Sequence, residues 1–121
     1  MELKSWLCRL GATHHGSVHW RAQRVSAVVL VPLIIWLVVS VIYVVHAEYA
    51  EAIAWFGNPI NAIMMAALLV VLFYHGALGV HSVIEDYIAE PKCKFYAMAA
   101  VNTAAVVLTV MGLAAVLVIA L

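Results

Sequence analysis

The sequence predicts an all-α membrane protein with three transmembrane helices, preceded by a short N-terminal interfacial helix. Composition is the first observation behind this: of 121 residues, 68% are hydrophobic and 10% charged, too little polar surface to cover a soluble domain of that size. The second is the distribution of charge. Val25 to Val45 carries no charged residue, Ile60 to Ile84 carries nothing ionisable except two histidines and a tyrosine, and Phe95 to Leu121 is again uncharged. Each run meets the ~20 residues needed to cross the hydrocarbon core. Residues 1–24 therefore form an N-terminal segment and residues 25–121 a three-helix membrane domain, with spans at about 25–45, 60–84 and 95–121.

Each element has its own signals. Between Met1 and Leu10, Leu3, Trp6, Leu7 and Leu10 recur at helical spacing while Glu2, Lys4 and Arg9 fall elsewhere, as in a helix lying in the interface; a frayed terminus is the competing reading. Gly11 to Gly16 breaks the pattern, and His19 to Arg24 leads into the first span. A basic head before an apolar run is also the pattern of a signal peptide, but this head exceeds twenty residues and the run is a full span, so the helix is expected to be retained. Pro32 is expected to kink that span, since proline removes a backbone donor and clashes with the preceding turn. Asn58-Pro59 starts the second span with an N-cap and a proline at the first helical position. Glu90-Pro91 ends the extension of that span, because a residue before proline avoids the α region. Small residues crowd the second and third spans, Ala62, Ala66, Gly76 and Gly79 in one and Ala97, Ala100, Ala104, Ala105 and Gly112 in the other, and in lipid such residues mark close contacts.

Topology follows from the six basic residues. Lys4, Arg9, Arg21 and Arg24 precede the first span, Lys92 and Lys94 lie between the second and third, and His46 to Pro59 has none. By the positive-inside rule the N-terminus and the 85–94 loop face the cytoplasm, or the matrix if the membrane is mitochondrial. Formal net charge is zero, which gives no reason to expect nucleic acid. Cys8 and Cys93 fall on the reducing side and lack CxxC spacing, against a disulfide or a zinc site.

The chemistry concentrates in the second span. A helix advances about 100° and 1.5 Å per residue, so His75, Gly79, Ser82 and Asp86 share a stripe and Tyr87 lies roughly 18 Å beyond His75. An intramembrane histidine is costly and marks function, and imidazole is an axial ligand of haem iron; the alternative is a core histidine hydrogen-bonded to a neighbouring helix. Gly76 and Gly79 remove bulk beside it, as a flat macrocycle needs. His81 lies ~120° away around the helix, so the two histidines cannot ligate one iron, and a second axial ligand must come from another chain. Arg24, at the mouth of the first span, reads equally as a charge snorkelling to headgroups and as a partner for a haem propionate, with His19 placed to join it. Asp86 and Tyr87 read either as interfacial residues or as a quinone site, the phenol donating to a quinone carbonyl and the carboxylate relaying protons.

His19 followed by Arg24 at the first span, then HGALGVHSVIEDY from His75 to Tyr87, then a third span running to the C-terminus, resembles the small hydrophobic membrane-anchor subunits, of the D type, of succinate dehydrogenase, respiratory complex II. The likeness covers the chain from about Gly16 onward. It implies a four-subunit respiratory enzyme of the tricarboxylic acid cycle. A flavoprotein with FAD oxidises succinate, an iron-sulfur protein passes electrons on, and two three-helix anchors bind ubiquinone and haem b. By that resemblance His75 is one axial ligand of the haem iron, with the other from the partner anchor. Arg24 and His19 meet the propionates, and Tyr87 with Asp86 forms part of the ubiquinone site. The chain carries no succinate chemistry and no catalytic activity in isolation, and it resides in a bacterial cytoplasmic or mitochondrial inner membrane.

Two other readings stand beside it. The anchor of a quinol:fumarate reductase has the same build, since direction depends on cofactor potentials. A small multi-helix transporter subunit is disfavoured because the six acidic residues lie outside the three spans, where proton coupling would need them.

Overall fold

A computed structural model describes residues 2–121, with side chains from Val18 onward. It contains four helices in the order α1 (Glu2–His46), α2 (Tyr49–Gly57), α3 (Pro59–Tyr87) and α4 (Pro91–Ala120), and no strand occurs among the described residues. Three of them, Val18–His46, Pro59–Tyr87 and Pro91–Ala120, are long and apolar enough to cross a membrane, at mean hydropathies of 3.0, 2.2 and 2.6. The all-α, three-span expectation is met.

The N-terminal part differs from expectation. α1 is one helix of 45 residues from Glu2, with no interruption between Gly11 and Gly16 and no separate helix before it. The physical reason is that a helical glycine costs only about 1 kcal/mol relative to alanine, less than it takes to stop and renucleate a helix. The amphipathic face read into Met1 to Leu10 falls on side chains outside the described residues. Pro32 is accommodated inside α1.

The connection between the first two spans holds a helix that the sequence reading did not assign. In α2 the backbone N–H of Glu48 donates to Glu51 Oε2 at 3.1 Å, tying down one of the amides that a helix start leaves unpaired. Trp55 of α2 stacks on Trp36 of α1 with centroids 5.8 Å apart, and Asn61 of α3 donates to the Trp55 carbonyl at 3.0 Å. α2 is thereby fastened to both long helices. α3 starts as its sequence dictates: Asn58 Oδ1 accepts from the Ile60 amide at 2.9 Å, and Pro59 stands in the first turn. It ends at Tyr87, and Pro91 opens α4 three residues after the cap at Ile88.

α3 is the centre of the arrangement. It packs against α1 on one side and α4 on the other, while α1 and α4 do not meet among the described residues. The α1 side of this contact is a seam of His19, Gln23, Ser26, Leu30, Leu33, Leu37 and Ser40, all buried or half-buried, spaced alternately four and three residues apart. That is the heptad pattern by which one helix keeps a single stripe against its neighbour. Leu30 and Leu33 meet Leu68 of α3, which is 2% exposed, with Trp36, Leu37, Met64, Met65 and Val71 around them. This leucine cluster sets the register in which the polar, inward end of the seam meets α3.

Candidate functional site

Above the leucine cluster the seam turns polar, because its next positions towards the N-terminus are Ser26, Gln23 and His19. α1 and α3 run antiparallel, so these residues face α3 in reverse order, and Ser26 meets His75. Ser26 is 5% exposed. Its Oγ lies 2.8 Å from His75 Nδ1 and donates its own proton to the Gln23 carbonyl at 3.0 Å. On the other ring nitrogen, the Gln23 amide Nε2 lies 3.5 Å from His75 Nε2, a long and weak contact.

These contacts agree on a tautomer. A hydroxyl has one proton, and that of Ser26 goes to a carbonyl, so Ser26 Oγ accepts from His75 Nδ1–H. An amide nitrogen is only a donor, so Gln23 Nε2 donates weakly to a His75 Nε2 that carries a lone pair. In this arrangement His75 carries its proton on Nδ1 and a lone pair on Nε2, the nitrogen able to bind a Lewis acid once the amide gives way.

Two further polar atoms in this region are buried without a hydrogen-bond partner among the described residues, Gln23 Oε1 and His19 Nε2; His81 Nε2 is a third on α3. Buried polar groups are nearly always paired, so such orphans mark places where a ligand or another chain completes the structure. The glycines divide. A Cβ on Gly76 would meet nothing within 4 Å, whereas one on Gly79 would approach Gln23 Nε2 at 3.8 Å. Of the two, Gly76 borders open space, while a Cβ at Gly79 would make ordinary van der Waals contact with the Gln23 amide.

The remaining sequence-predicted residues lie apart from this pair. Arg24 is exposed, its guanidinium carbon 5.5 Å from the centre of the Trp20 ring one turn earlier. Asp86 and Tyr87 occupy the last turn of α3, both exposed, Tyr87 to 83%. His75 has Ser26 and Gln23 as its hydrogen-bond partners among the described residues, not Arg24, His19, Asp86 or Tyr87. No group of three or more His, Cys, Asp or Glu able to hold a metal ion occurs among the described residues. Sequence reading missed Gln23 and Ser26. The signal that would have found them is the four-three spacing running back from Leu33 and Leu30, which places both on the stripe that faces the second span.

Comparison with known proteins agrees with this architecture. Residues 7–120 match the family model described as the succinate dehydrogenase/fumarate reductase transmembrane subunit. The chain is 33% identical over 84 residues to the succinate dehydrogenase hydrophobic membrane anchor subunit of Rickettsia bellii, covering 69% of this chain and 67% of that one. It is 29% identical over 97 residues to the succinate dehydrogenase membrane anchor subunit of Reclinomonas americana, covering 78% and 81%. With the hydrophobic membrane anchor subunit of Paracoccus denitrificans it shares 32% over 78 residues, covering 64% and 60%. No solved structure matches the chain. A match that takes in all three spanning helices, with relatives of one description, makes this integral membrane protein a member of the succinate dehydrogenase/fumarate reductase transmembrane subunit family.

Proposed function

We propose that this membrane-anchor subunit of succinate dehydrogenase provides one axial ligand to a haem b and part of the site where ubiquinone is reduced. The observation that carries the reading is His75: an imidazole on a spanning helix, its Nδ1 held at 2.8 Å by Ser26 and its Nε2 engaged only by a long amide contact. The residues present fit such a group. Gln23 Oε1 and His19 Nε2 are buried donors or acceptors awaiting partners, and the open space at Gly76 leaves that side of α3 unobstructed. When bound, haem supplies a one-electron store within the membrane.

In this reading His75 would be one ligand of the haem iron, and a histidine of a second anchor would be the other. His19 and Arg24 hold the propionates, the guanidinium by paired hydrogen bonds. Reduction of ubiquinone to ubiquinol consumes two electrons, delivered from an iron-sulfur subunit that a flavoprotein feeds, and two protons from the aqueous side. Tyr87 donates its phenolic proton in a hydrogen bond to a quinone carbonyl, stabilising negative charge as it develops, and Asp86 beside it passes protons inward. Both are exposed on this chain because the iron-sulfur subunit and second anchor form the other walls. The lipid bilayer is a bacterial cytoplasmic or mitochondrial inner membrane, with the N-terminus and the α3–α4 turn on the cytoplasmic or matrix side. The isolated chain has no turnover of its own.

The purified complex tests this directly. Subunit masses should reveal a flavoprotein, an iron-sulfur protein and a second anchor, and a reduced-minus-oxidised spectrum should carry a b-type haem that His75→Ala removes or perturbs while His81→Ala does not. An unchanged spectrum in a stably assembled His75→Ala complex rejects ligation by this residue. For the topology, a cysteine placed at Glu51 should be labelled from the periplasmic or intermembrane side and Cys93 from the opposite side only; labelling of both from one side rejects the three-span arrangement.

A further inference from the structure

We infer that Ser26 is the positioning residue of His75, fixing by its hydroxyl which ring nitrogen carries the proton and which is presented for ligation; the inference rests on the haem reading above. Among the described residues Ser26 is one of two buried polar residues of α1, so its hydroxyl must be satisfied inside the protein. It forms a directed relay, from His75 Nδ1–H to Ser26 Oγ at 2.8 Å and from Ser26 O–H to the Gln23 carbonyl at 3.0 Å. The end acceptor is a main-chain carbonyl that cannot donate, so the relay has a single polarity. With the proton on Nε2 instead, the Ser26 hydroxyl would have to turn its own proton to Nδ1 and give up the Gln23 carbonyl.

The relay has consequences for the ligand. A hydrogen bond accepted from Nδ1–H raises the basicity of the opposite nitrogen and fixes the plane of the ring. A more basic axial imidazole favours the ferric over the ferrous state, so Ser26 lowers the midpoint potential of the haem. Gln23 contributes differently. Its amide lies on the Nε2 side at 3.5 Å while its own Oε1 is unpartnered, so it can rotate away without losing a strong bond. The site is therefore set for ligation before the ligand arrives.

Ser26→Ala and Ser26→Thr, made in the assembled complex, test this by redox titration of the haem and electron paramagnetic resonance of its low-spin ferric form. Ser26→Ala should shift the midpoint upward, by about 59 mV if the one-electron equilibrium changes tenfold, and change the g-values. Ser26→Thr, which retains the hydroxyl, should restore both. Ser40→Ala is the control, removing a second buried serine of the same seam whose Oγ bonds only the Trp36 carbonyl at 2.7 Å. Loss of haem from Ser26→Ala with retention in Ser26→Thr also supports the relay. Parent-like potential and g-values in Ser26→Ala, equal changes in Ser26→Ala and Ser26→Thr, or an equal shift in Ser40→Ala overturn it. His75→Ala keeps the two levels apart: if it leaves the haem intact the ligation reading falls, whereas a silent Ser26→Ala beside a haem-deficient His75→Ala removes only the role of Ser26.

Discussion

The two flanks of α3 are held by different physics. Towards α1 the contact is a heptad seam with the buried side chains Leu30, Leu33 and Leu68 in its middle and hydrogen bonds to His75 at its inner end. Towards α4 the contact rests on smallness: α4 has no buried residue, and Gly112 comes so close to α3 that a Cβ there would lie 3.0 Å from Leu69 Cδ1. In lipid, where burial of apolar surface no longer drives helices together, both are ways to gain close packing. They differ in what they position. The α1 flank holds the His75 ring through contacts with Ser26 and Gln23; the α4 flank fixes only a distance between backbones.

Substitutions on the two flanks should therefore separate. Leu68→Ala, at the most buried position, should have the largest effect on stability, towards the lower end of the ~2–5 kcal/mol that such cavities cost in water-soluble cores, because a membrane-inserted reference state keeps the side chain out of water as well. Thermal dissociation of the purified complex would measure it, and haem content should fall with it. A parent-like melting curve would mean that the seam is not what holds α1 to α3.

Tyr87→Phe comes next, and acts beyond both flanks. The ring stays and the donor goes, so transition-state stabilisation for quinone reduction should weaken by about 0.5–1.5 kcal/mol, more if charge accumulates on the quinone oxygen. Quinone turnover should drop while succinate oxidation with an artificial acceptor is kept, and haem is unaffected. Parent-like quinone turnover and apparent affinity would return Tyr87 to a purely interfacial role.

Gly112→Ala should matter least. The clash is with the end of a flexible side chain, which can shift by a few tenths of an ångström, and alanine gains up to ~1 kcal/mol of helix preference over glycine, so the net change should stay within about 0.5 kcal/mol. Thermal dissociation again measures it. A large loss of stability, or any change at the haem, would show that the α4 flank couples to the site.

The spans were legible because hydrocarbon imposes length and apolarity on any helix that crosses it; Asn58-Pro59 marks the start that α3 uses, while Glu90-Pro91, read as the end of the second span's extension, also opens α4. α2 was not, because nine residues between two spans carry little periodic signal and its start is capped by glutamate rather than by serine, threonine, aspartate or asparagine. His75 stood out as an ionisable group in an apolar run, and α3 carries it where the sequence indicates. Ser26 and Gln23 did not, since a lone serine or glutamine inside a helix is ordinary and becomes informative only once its stripe is aligned with a partner. Tyr87 and Asp86 were visible as a pair, and the structure shows them exposed in the last turn of α3; in the proposed site their other walls would belong to partner chains, which one sequence does not hold.

The bond from Ser26 to the carbonyl three residues back has a bearing on biogenesis. Spanning helices leave the insertion machinery for lipid in the order of synthesis, so α1 is released before α3 exists to accept it. A bare hydroxyl in hydrocarbon would oppose that release. By returning its proton to the Gln23 carbonyl of its own helix, Ser26 travels satisfied, as do Ser40, Ser82 and Thr109, each bonded to a carbonyl four residues back. What Ser26 keeps in reserve is a lone pair, and that costs little to carry until His75 arrives to use it.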